Sequence, residues 1–427
     1  MRHLIEELSW RGLIYDKTPQ VEKLLEKPIS LYVGFDPTAS SLHVGSLVPI
    51  LMLVHFQKHA HRPIVIIGGA TGMIGDPSEK ALERNLLDEK TLEENIKGIR
   101  AQLEKFIDFD KDKALLVNNY DWMKEVSFLS FARDIGKHIT VNYMISKDSV
   151  KKRLDPNAKE QGMSFTEFTY QLLQANDFLH LYQHENCLLQ IGGSDQWGNI
   201  TTGIELVRKK TAKKVHGITF PLTTRADGSK FGKTQQGENI WLDEKRTSPY
   251  KFYQFWLNLS DKEVESFIKI YTFLSKEQIK DLILSHQKEP HKRILQKTLA
   301  KEITTWIHGN QAYEKALKSS EAFFSKDIKE LKMLSSEDLS LLFEGIPKVM
   351  IKKQELENGL PIIEALVVKG NFISSKAQAR RDLVEESILV NKQKAFLELI
   401  LTKEDLIAQS YILFQKGKKT YFILEAL

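Results

Sequence analysis

Residues 31–69 read LYVGFDPTASSLHVGSLVPILMLVHFQKHAHRPIVIIGG, and this stretch decides the fold class. Leu31-Tyr32-Val33-Gly34-Phe35-Asp36 has the composition of a strand that ends in a turn at Pro37. From Gly45 to His59 the apolar residues Leu47, Ile50, Leu51 and Val54 fall at helical spacing. Pro49 is harmless in a helix that starts near Gly45, because first-turn N–H groups have no intrahelical partner. Pro63-Ile64-Val65-Ile66-Ile67 then runs into Gly68-Gly69, as buried parallel strands do. Strand, helix, strand is the opening of an α/β fold with a Rossmann-like, doubly wound parallel sheet.

Further along, Ser78 to Ile107 reads as polar and mostly helical. Ala114-Leu115-Leu116-Val117 is strand-like and leads into Asn118-Asn119-Tyr120-Asp121-Trp122. Residues 164–184 carry a helical pattern, and Cys187–Gly193 is again a strand entering glycines. The pattern is helical throughout 248–320, then charged and weakly patterned over 325–359, which suits a linker. After Leu360 a small α+β unit is expected. It has a helix, a second helix opened by Ser374-Ser375-Lys376, and short strands near 388–390, 411–414 and 420–424.

The 427 residues are 42% hydrophobic and 27% charged, the balance of an ordinary water-soluble protein. No apolar run approaches the roughly 18 residues that span a bilayer. The opening MRHLIEELSWRGLIYD reads as an amphipathic helix with Leu4, Ile5 and Leu8 on one side, not as a signal peptide. Cys187 is the only cysteine, so an intrachain disulfide and a cysteine-rich zinc site are both excluded. A cytoplasmic protein without a membrane span is expected. The net charge of +5 permits a polyanionic partner without demanding one.

Two glycine loops invite wrong readings. Gly68-Gly69-Ala70-Thr71-Gly72-Met73-Ile74-Gly75 is spaced G-x-x-x-G-x-x-G, which is not the dinucleotide fingerprint. Gly228-Ser229-Lys230-Phe231-Gly232-Lys233-Thr234 is one residue short of a P-loop and follows the polar turn Arg225-Ala226-Asp227 instead of a buried strand. Each is either a tight turn or a place where backbone approaches a ligand.

The chemistry lies in combinations. His43-Val44-Gly45-Ser46 stands at a helix start, where oriented N–H groups and an imidazole make a phosphate site. Lys230 and Lys233 sit three apart in a glycine-containing loop, and such ammonium groups neutralise charge on a departing pyrophosphate. Tyr170, Gln174 and Asp177 at i, i+4 and i+7 place a phenol, an amide and a carboxylate on one helix face. That face is either solvated or turned to a ligand. Nothing suggests a Ser-His-Asp or Cys-His nucleophile.

The ordered blocks GFDPT, HVGS, GGATGMIGDPS, NNYDW, SFTEFTYQLLQANDF, QIGGSDQWGNI and KFGKT resemble the bacterial tyrosyl-tRNA synthetases of class I, along essentially the whole chain. HVGS and KFGKT resemble that class's HIGH and KMSKS signatures. The resemblance implies a homodimer that uses ATP with Mg2+ as co-substrate and has no tightly bound metal of its own. Tyrosine is activated to tyrosyl-adenylate and then transferred to the 3′ end of tRNA(Tyr).

The same resemblance implies residue roles. His43, Ser46, Lys230, Lys233 and Thr234, with Lys80 and Arg84 on a neighbouring loop, would act on the triphosphate. Asp36, Gly45, Gly193 and Asp195 would join His43 and the two loop lysines around the nucleotide. Tyr170, Gln174 and Asp76 would hold the substrate ammonium, Tyr32 and Asp177 its phenol, and Gln196 its carboxylate. Arg208 and Lys209 would meet the acceptor stem, and Asn142-Tyr143-Met144 with Phe165 would fall at the dimer contact. Plainer readings stand beside some of these: Asp195 as a helix N-cap, and Lys80/Arg84 as solvated surface.

The implied organisation has a catalytic domain over 1–245, with an inserted helical dimerisation segment, and an α-helical domain over 246–325. A linker over 326–359 and an S4-like RNA-binding domain over 360–427 would follow. In the last, Arg380 and Arg381 suit phosphate contacts. With 10 Lys and Arg against 8 Asp and Glu from 360 on, it is not a strong nonspecific binder. The chain departs from the family pattern at Ser46, where many relatives carry His or Asn and the shorter hydroxyl calls for a bridging water. It departs again at Ser387 and Asn391-Lys392, where the S4 pattern has a Gly and Asn-Gly. Two rivals remain at this stage: a tryptophanyl enzyme with the same core, and an RNA-binding paralogue without activity.

Overall fold

The computed structural model describes residues 4–78, 87–155, 162–233, 237–417 and 420–427. The chain divides into two compact units. One runs to Thr247 and takes in Asn258–Leu299; the other joins Ser248–Leu257 to Ala300–Leu427. No described helix is long and apolar enough to cross a membrane.

The first unit is built on a six-stranded sheet: β1 (Asp16–Lys17), β2 (Ser30–Phe35), β3 (Arg62–Ile67), β4 (Leu115–Asn118), β5 (Cys187–Gly193) and β6 (His216–Phe220). Their order is β1-β6-β5-β2-β3-β4, parallel except for β1 against β6. Chain order runs outward from β2 in one direction to β4, then restarts at β5 on the other side. The switch point between β2 and β5 is therefore a crevice at the carboxyl ends of the strands, where ligands bind in such sheets. The doubly wound expectation is met. β6 had no signal in the sequence because HGITF begins with His and Gly and is only five residues long, yet all five are buried.

Helix α1 (Leu47–Lys58) makes the crossover from β2 to β3 and is buried along most of its length. A single 3-10 turn, Val44–Ser46, precedes it, so Pro49 falls in the first α-turn, where it costs nothing. Helix α2 (Phe165–Glu185) is started by Ser164, whose hydroxyl accepts from Glu167 N, and stopped by Asn186 in the left-handed region. Helix α3 (Trp197–Thr211) follows β5. Leu172, Ala175 and Phe178 of α2 pack with Leu206 and Val207 of α3 and with Tyr32, Ile64 and Ile66 of the sheet. That packing fixes the polar face of α2 over the crevice.

In the second unit, β7 (Lys348–Ile351), β8 (Leu360–Pro361), β9 (Ile388–Val390), β10 (Gln393–Lys394), β11 (Ile400–Leu401), β12 (Tyr411–Lys416) and β13 (Thr420–Ala426) form two sheets. The larger has the order β10-β9-β12-β13-β7, and the smaller pairs β11 with β8. Ile412 and Phe414 of β12 enter one core, while Tyr411 and Leu413 enter another on the opposite face. This period-two division shows that both faces of the sheet are covered.

Residues 326–359, expected as a linker, instead carry helices Ile328–Lys332, Ser336–Leu342 and Lys353–Glu357 as well as β7. Leu331, Leu339, Leu342 and Phe343 form part of the second core. Short helices separated by charged residues dilute the apolar period below what the sequence reveals. The helical stretch expected as one domain over 246–325 is also shared between the units. Tyr253 packs on Tyr313 and Gln254 donates to Ser320, whereas Lys269 and Thr272 accept from buried Arg11 of the first unit.

Candidate active site

The crevice opens into a cavity of about 1010 Å³. Tyr32 reaches it from within β2 and Asp36 from just past its end, His43, Gly45 and Ser46 from the turn before α1, and Asp76 from the glycine-rich segment after β3. Tyr170, Gln174 and Asp177 line it from α2, and Gly193, Asp195 and Gln196 from the end of β5. Lys230 and Lys233, both exposed, complete its lining. Residues far apart in sequence are thus brought to one space. Lys80, Arg84 and Thr234 lie outside the described residues.

The polar face of α2 is not solvated. Tyr170 is 5% and Asp177 3% exposed, and Tyr32 beneath them is 1% exposed. Asp177 accepts from Asn119 Nδ2 at 3.0 Å and from the Trp122 indole at 2.9 Å. Burial pushes its carboxyl up from 3.8 to about 7 against those two donors, with Asp36 adding to the rise. The Tyr32 hydroxyl is buried and has no hydrogen-bond partner among the described residues. Burial first, and Asp177 second, hold its proton on well above the usual phenol range. A buried acceptor with a raised pKa beside an unmatched hydroxyl is costly without a ligand that satisfies both.

Nearer the opening, Tyr170 donates to Asp36 Oδ2 at 2.8 Å. Asp76 accepts from Gln196 Nε2 at 2.6 Å and from Ser78 N at 2.9 Å. Gln174 accepts from Asn199 at 3.1 Å. Carboxylates at 36, 76 and 195 make this part of the cavity acidic, suited to an ammonium and to hydroxyl donors. Asp195 does not cap α3; Gln196 holds the cap position and makes no side-chain cap bond. Among the described residues no cluster of three or more His, Cys, Asp or Glu is arranged to hold a metal.

The two loops meet. His43 Nδ1 accepts from Gly45 N at 3.0 Å, so the neutral ring carries its proton on Nε2. Ile240 N donates to the Gly232 carbonyl at 2.9 Å, and Val44 N donates to that of Ile240, also at 2.9 Å. Gly232 has φ +93°, which favours glycine, and a Cβ there would also stand a tight 3.3 Å from Gly45 N. The turn behind the lysines, with Arg225 N donating to Ser229 O at 2.8 Å, is a hairpin and not a P-loop. Phe231 is buried edge-on against Phe267, with ring centroids 4.6 Å apart, and anchors Lys230 and Lys233.

Other expected residues stand apart from the cavity. Arg208 makes two 2.8 Å bonds to Glu205, and Lys209 donates to His138 O at 2.9 Å. Arg380 and Arg381 are exposed on the helix Lys376–Val384. Phe165 is exposed and Met144 buried, with Tyr143 half-buried between them in exposure. Sequence reasoning passed over Thr71, Asn119, Trp122 and Trp241. Asn119 and Trp122 lay inside the quoted NNYDW block, but nothing in the sequence alone aims them at a carboxylate 55–58 residues away.

Comparison with known proteins narrows the chemistry. Residues 23–325 match the family described as tRNA synthetases class I (W and Y), and residues 338–424 match the Tyrosine--tRNA ligase SYY-like C-terminal domain. The chain is 53% identical over 434 residues to the tyrosine--tRNA ligase of Flavobacterium johnsoniae, covering 100% of both. It is 51% identical over 430 residues to that of Bacteroides fragilis, covering 99% of this chain and 100% of the other. A C-terminally truncated mitochondrial tyrosyl-tRNA synthetase of Aspergillus nidulans superposes with a TM-score of 0.68 at 29% identity, over 76% of this chain and 95% of that one.

Proposed function

Since the chain belongs to the class I tRNA synthetases of the tryptophan and tyrosine type, we propose how its cavity performs the reaction of a tyrosine–tRNA ligase. The reaction itself is the ATP-dependent activation of L-tyrosine to tyrosyl-adenylate, followed by transfer to tRNA(Tyr). The observation that carries the assignment of residues is the unpartnered Tyr32 hydroxyl near the Asp177 carboxylate at the buried end of the cavity. A substrate phenol donates to the Asp177 carboxylate and accepts from the Tyr32 hydroxyl. Phenylalanine leaves the Tyr32 hydroxyl without a partner and the Asp177 carboxylate one donor short, and a buried polar group left unmatched is what makes a site selective.

In this reading Tyr170, Gln174 and Asp76 receive the substrate ammonium, and Gln196 meets its carboxylate. That carboxylate attacks the α-phosphate of ATP, and pyrophosphate leaves. Asp36, Gly45, Gly193 and Asp195 frame the adenosine, with Asp195 accepting from ribose hydroxyls. The His43 Nε2–H donates to a phosphate oxygen, the Ser46 hydroxyl reaches one through a bridging water, and Lys230 and Lys233 neutralise the departing pyrophosphate. Lys80, Arg84 and Thr234 would add to the same task. Magnesium arrives with the nucleotide. A terminal ribose hydroxyl of the tRNA then attacks the tyrosyl carbonyl, and AMP is released. No step needs a protein nucleophile; positioning and charge do the work.

Arg208 and Lys209 are assigned to the acceptor stem, and Arg380 and Arg381 to tRNA at the S4-like part of the second unit. Binding there requires Arg208 to exchange Glu205 for a phosphate. A homodimer is part of the reading: Phe128, Leu129, Val141, Ile145, Leu154 and Phe165 expose large apolar side chains, which a second copy would cover. A cytoplasmic location goes with it. The test is charging of tRNA(Tyr) with labelled tyrosine. Acid-precipitable tyrosine is the expected product, and a chain that forms adenylate without charging would contradict the tRNA assignment.

A further inference from the structure

Two buried residues without an assigned role join the two ends of the amino-acid pocket. The Asn119 amide has its orientation fixed, because Oδ1 accepts from Ala70 N at 2.8 Å. Its Nδ2 therefore donates, to Asp177 Oδ2 at 3.0 Å and to Thr71 Oγ1 at 3.0 Å. The Thr71 hydroxyl has one proton, and it goes to Asp36 Oδ1 at 2.7 Å. The other oxygen of Asp36 accepts from the Tyr170 hydroxyl at 2.8 Å. Asn119 is 0% and Thr71 3% exposed, so solvent offers neither an easy substitute partner.

From this chain of bonds, Asp177–Asn119–Thr71–Asp36–Tyr170, we propose that Thr71 is a positioning residue that couples the phenol end of the tyrosine pocket to its ammonium end. The inference rests on the reading above, in which Asp177 meets the substrate phenol and Tyr170 its ammonium. Thr71 gives its proton to Asp36 and its lone pair to Asn119, so a single hydroxyl sets the direction of both arms. Held by Thr71, Asp36 keeps the Tyr170 proton, and the Tyr170 oxygen turns its lone pairs to an ammonium. Held by Asn119, Asp177 stays an acceptor for a phenol.

Two local features support the arrangement. Of the two χ1 rotamers open to a helical threonine, the bonds to Asp36 and Asn119 select one for Thr71 within the short helix Gly69–Ile74. At residue 68 a Cβ would fall 2.1 Å from Asp36 Oδ1 and 2.3 Å from Thr71 Oγ1, so the close pairing of these two depends on Gly68.

Six proteins test it: the wild type, Thr71→Val, Thr71→Ser, Thr71→Ala, Tyr170→Phe and the double variant of Thr71→Val with Tyr170→Phe. Each is assayed by tyrosine-dependent ATP–pyrophosphate exchange, by calorimetric tyrosine binding and by melting temperature. Val and Ala, which lack the hydroxyl, should raise KM and Kd for tyrosine about tenfold, with kcat changed by less than about threefold. Ser should stay within about twofold of the wild type. Combining Thr71→Val with Tyr170→Phe should cost less than the sum of the two, because both act through Asp36. A wild-type KM in Thr71→Val would overturn the inference. So would losses that follow the methyl, with Ser and Ala impaired and Val intact, or strict additivity with Tyr170→Phe. A wild type without tyrosine-dependent exchange would sink the underlying reading as well, which separates the two failures.

Discussion

The indole N–H of Trp122 reaches Asp177 Oδ1 at 2.9 Å, and the same indole stacks on His180, one turn further along α2, at 4.3 Å between ring centroids. The stack holds the indole in place, and the hydrogen bond offsets part of the burial cost of the carboxylate. Trp122→Phe keeps an aromatic surface for His180 and removes only the donor. The Asp177 pKa should then rise above about 7. A pH profile of KM for tyrosine should show its midpoint moved upward, with KM at pH 7 raised roughly tenfold.

The raised pKa of Asp177 makes a stability prediction whose sign is opposite to that of most carboxylates. The folded protein holds this proton up to about pH 7, the unfolded chain only to about 3.8. Between those values the native state binds more proton, so stability falls as pH rises through the window. The contribution present at pH 4 and lost by pH 8 is at most about 4 kcal/mol. Asp177→Asn stays neutral throughout. In urea unfolding, its stability relative to wild type should therefore improve from pH 5 to pH 8.

The seat of Phe231 on Phe267 ties the lysine loop to the helix Asp261–Tyr271, whose carboxyl end is capped by Arg11. Phe267→Ala should loosen Lys230 and Lys233 without touching the amino-acid pocket. Exchange kcat is expected to fall roughly tenfold, against roughly 100-fold or more for Lys233→Ala. Tyrosine Kd should hold in both. A Phe267→Ala variant that loses tyrosine affinity instead would place that helix in amino-acid binding.

Lys392 illustrates a departure from pattern with a structural cause. Asn391 and Lys392 both take positive φ, 48° and 67°, in the two-residue turn between β9 and β10. Such turns favour glycine at the second position. Here the lysine ammonium instead donates to Ala322 O and Ser325 O, at the carboxyl end of the helix Asn310–Phe324. Lys392→Met keeps the strained backbone and loses the cap, at a cost of about 2 kcal/mol. Lys392→Gly relieves the strain and should lose only about 1 kcal/mol. Thermal melts of the three proteins should rank wild type, Gly, Met.

That residue also marks where sequence reading stops. The sheet and the cavity were legible because β2, α1, β3 and β5 are continuous apolar segments, and β2, β3 and β5 each run into a turn that carries glycines or polar groups. Tyr170, Gln174 and Asp177 were legible because helical spacing alone puts them on one face. Lys392 looked like a weakened hairpin, since nothing local shows that a lysine side chain will find a helix end 67–70 residues earlier. Asn119 and Thr71 were opaque for the same reason. Their meaning lies in the carboxylates they hold, and those come from other strands and helices. The ordered stretch 326–359 was hidden by charge, with its buried leucines spread over helices too short to show a period.

The central claim, that the buried end of the cavity is made for a phenol, is tested most directly by ATP–pyrophosphate exchange with tyrosine, phenylalanine and tryptophan in parallel. The account predicts rapid exchange with tyrosine and rates near background with the other two. Exchange with tryptophan alone, with tyrosine and phenylalanine equally, or with none of the three would contradict it.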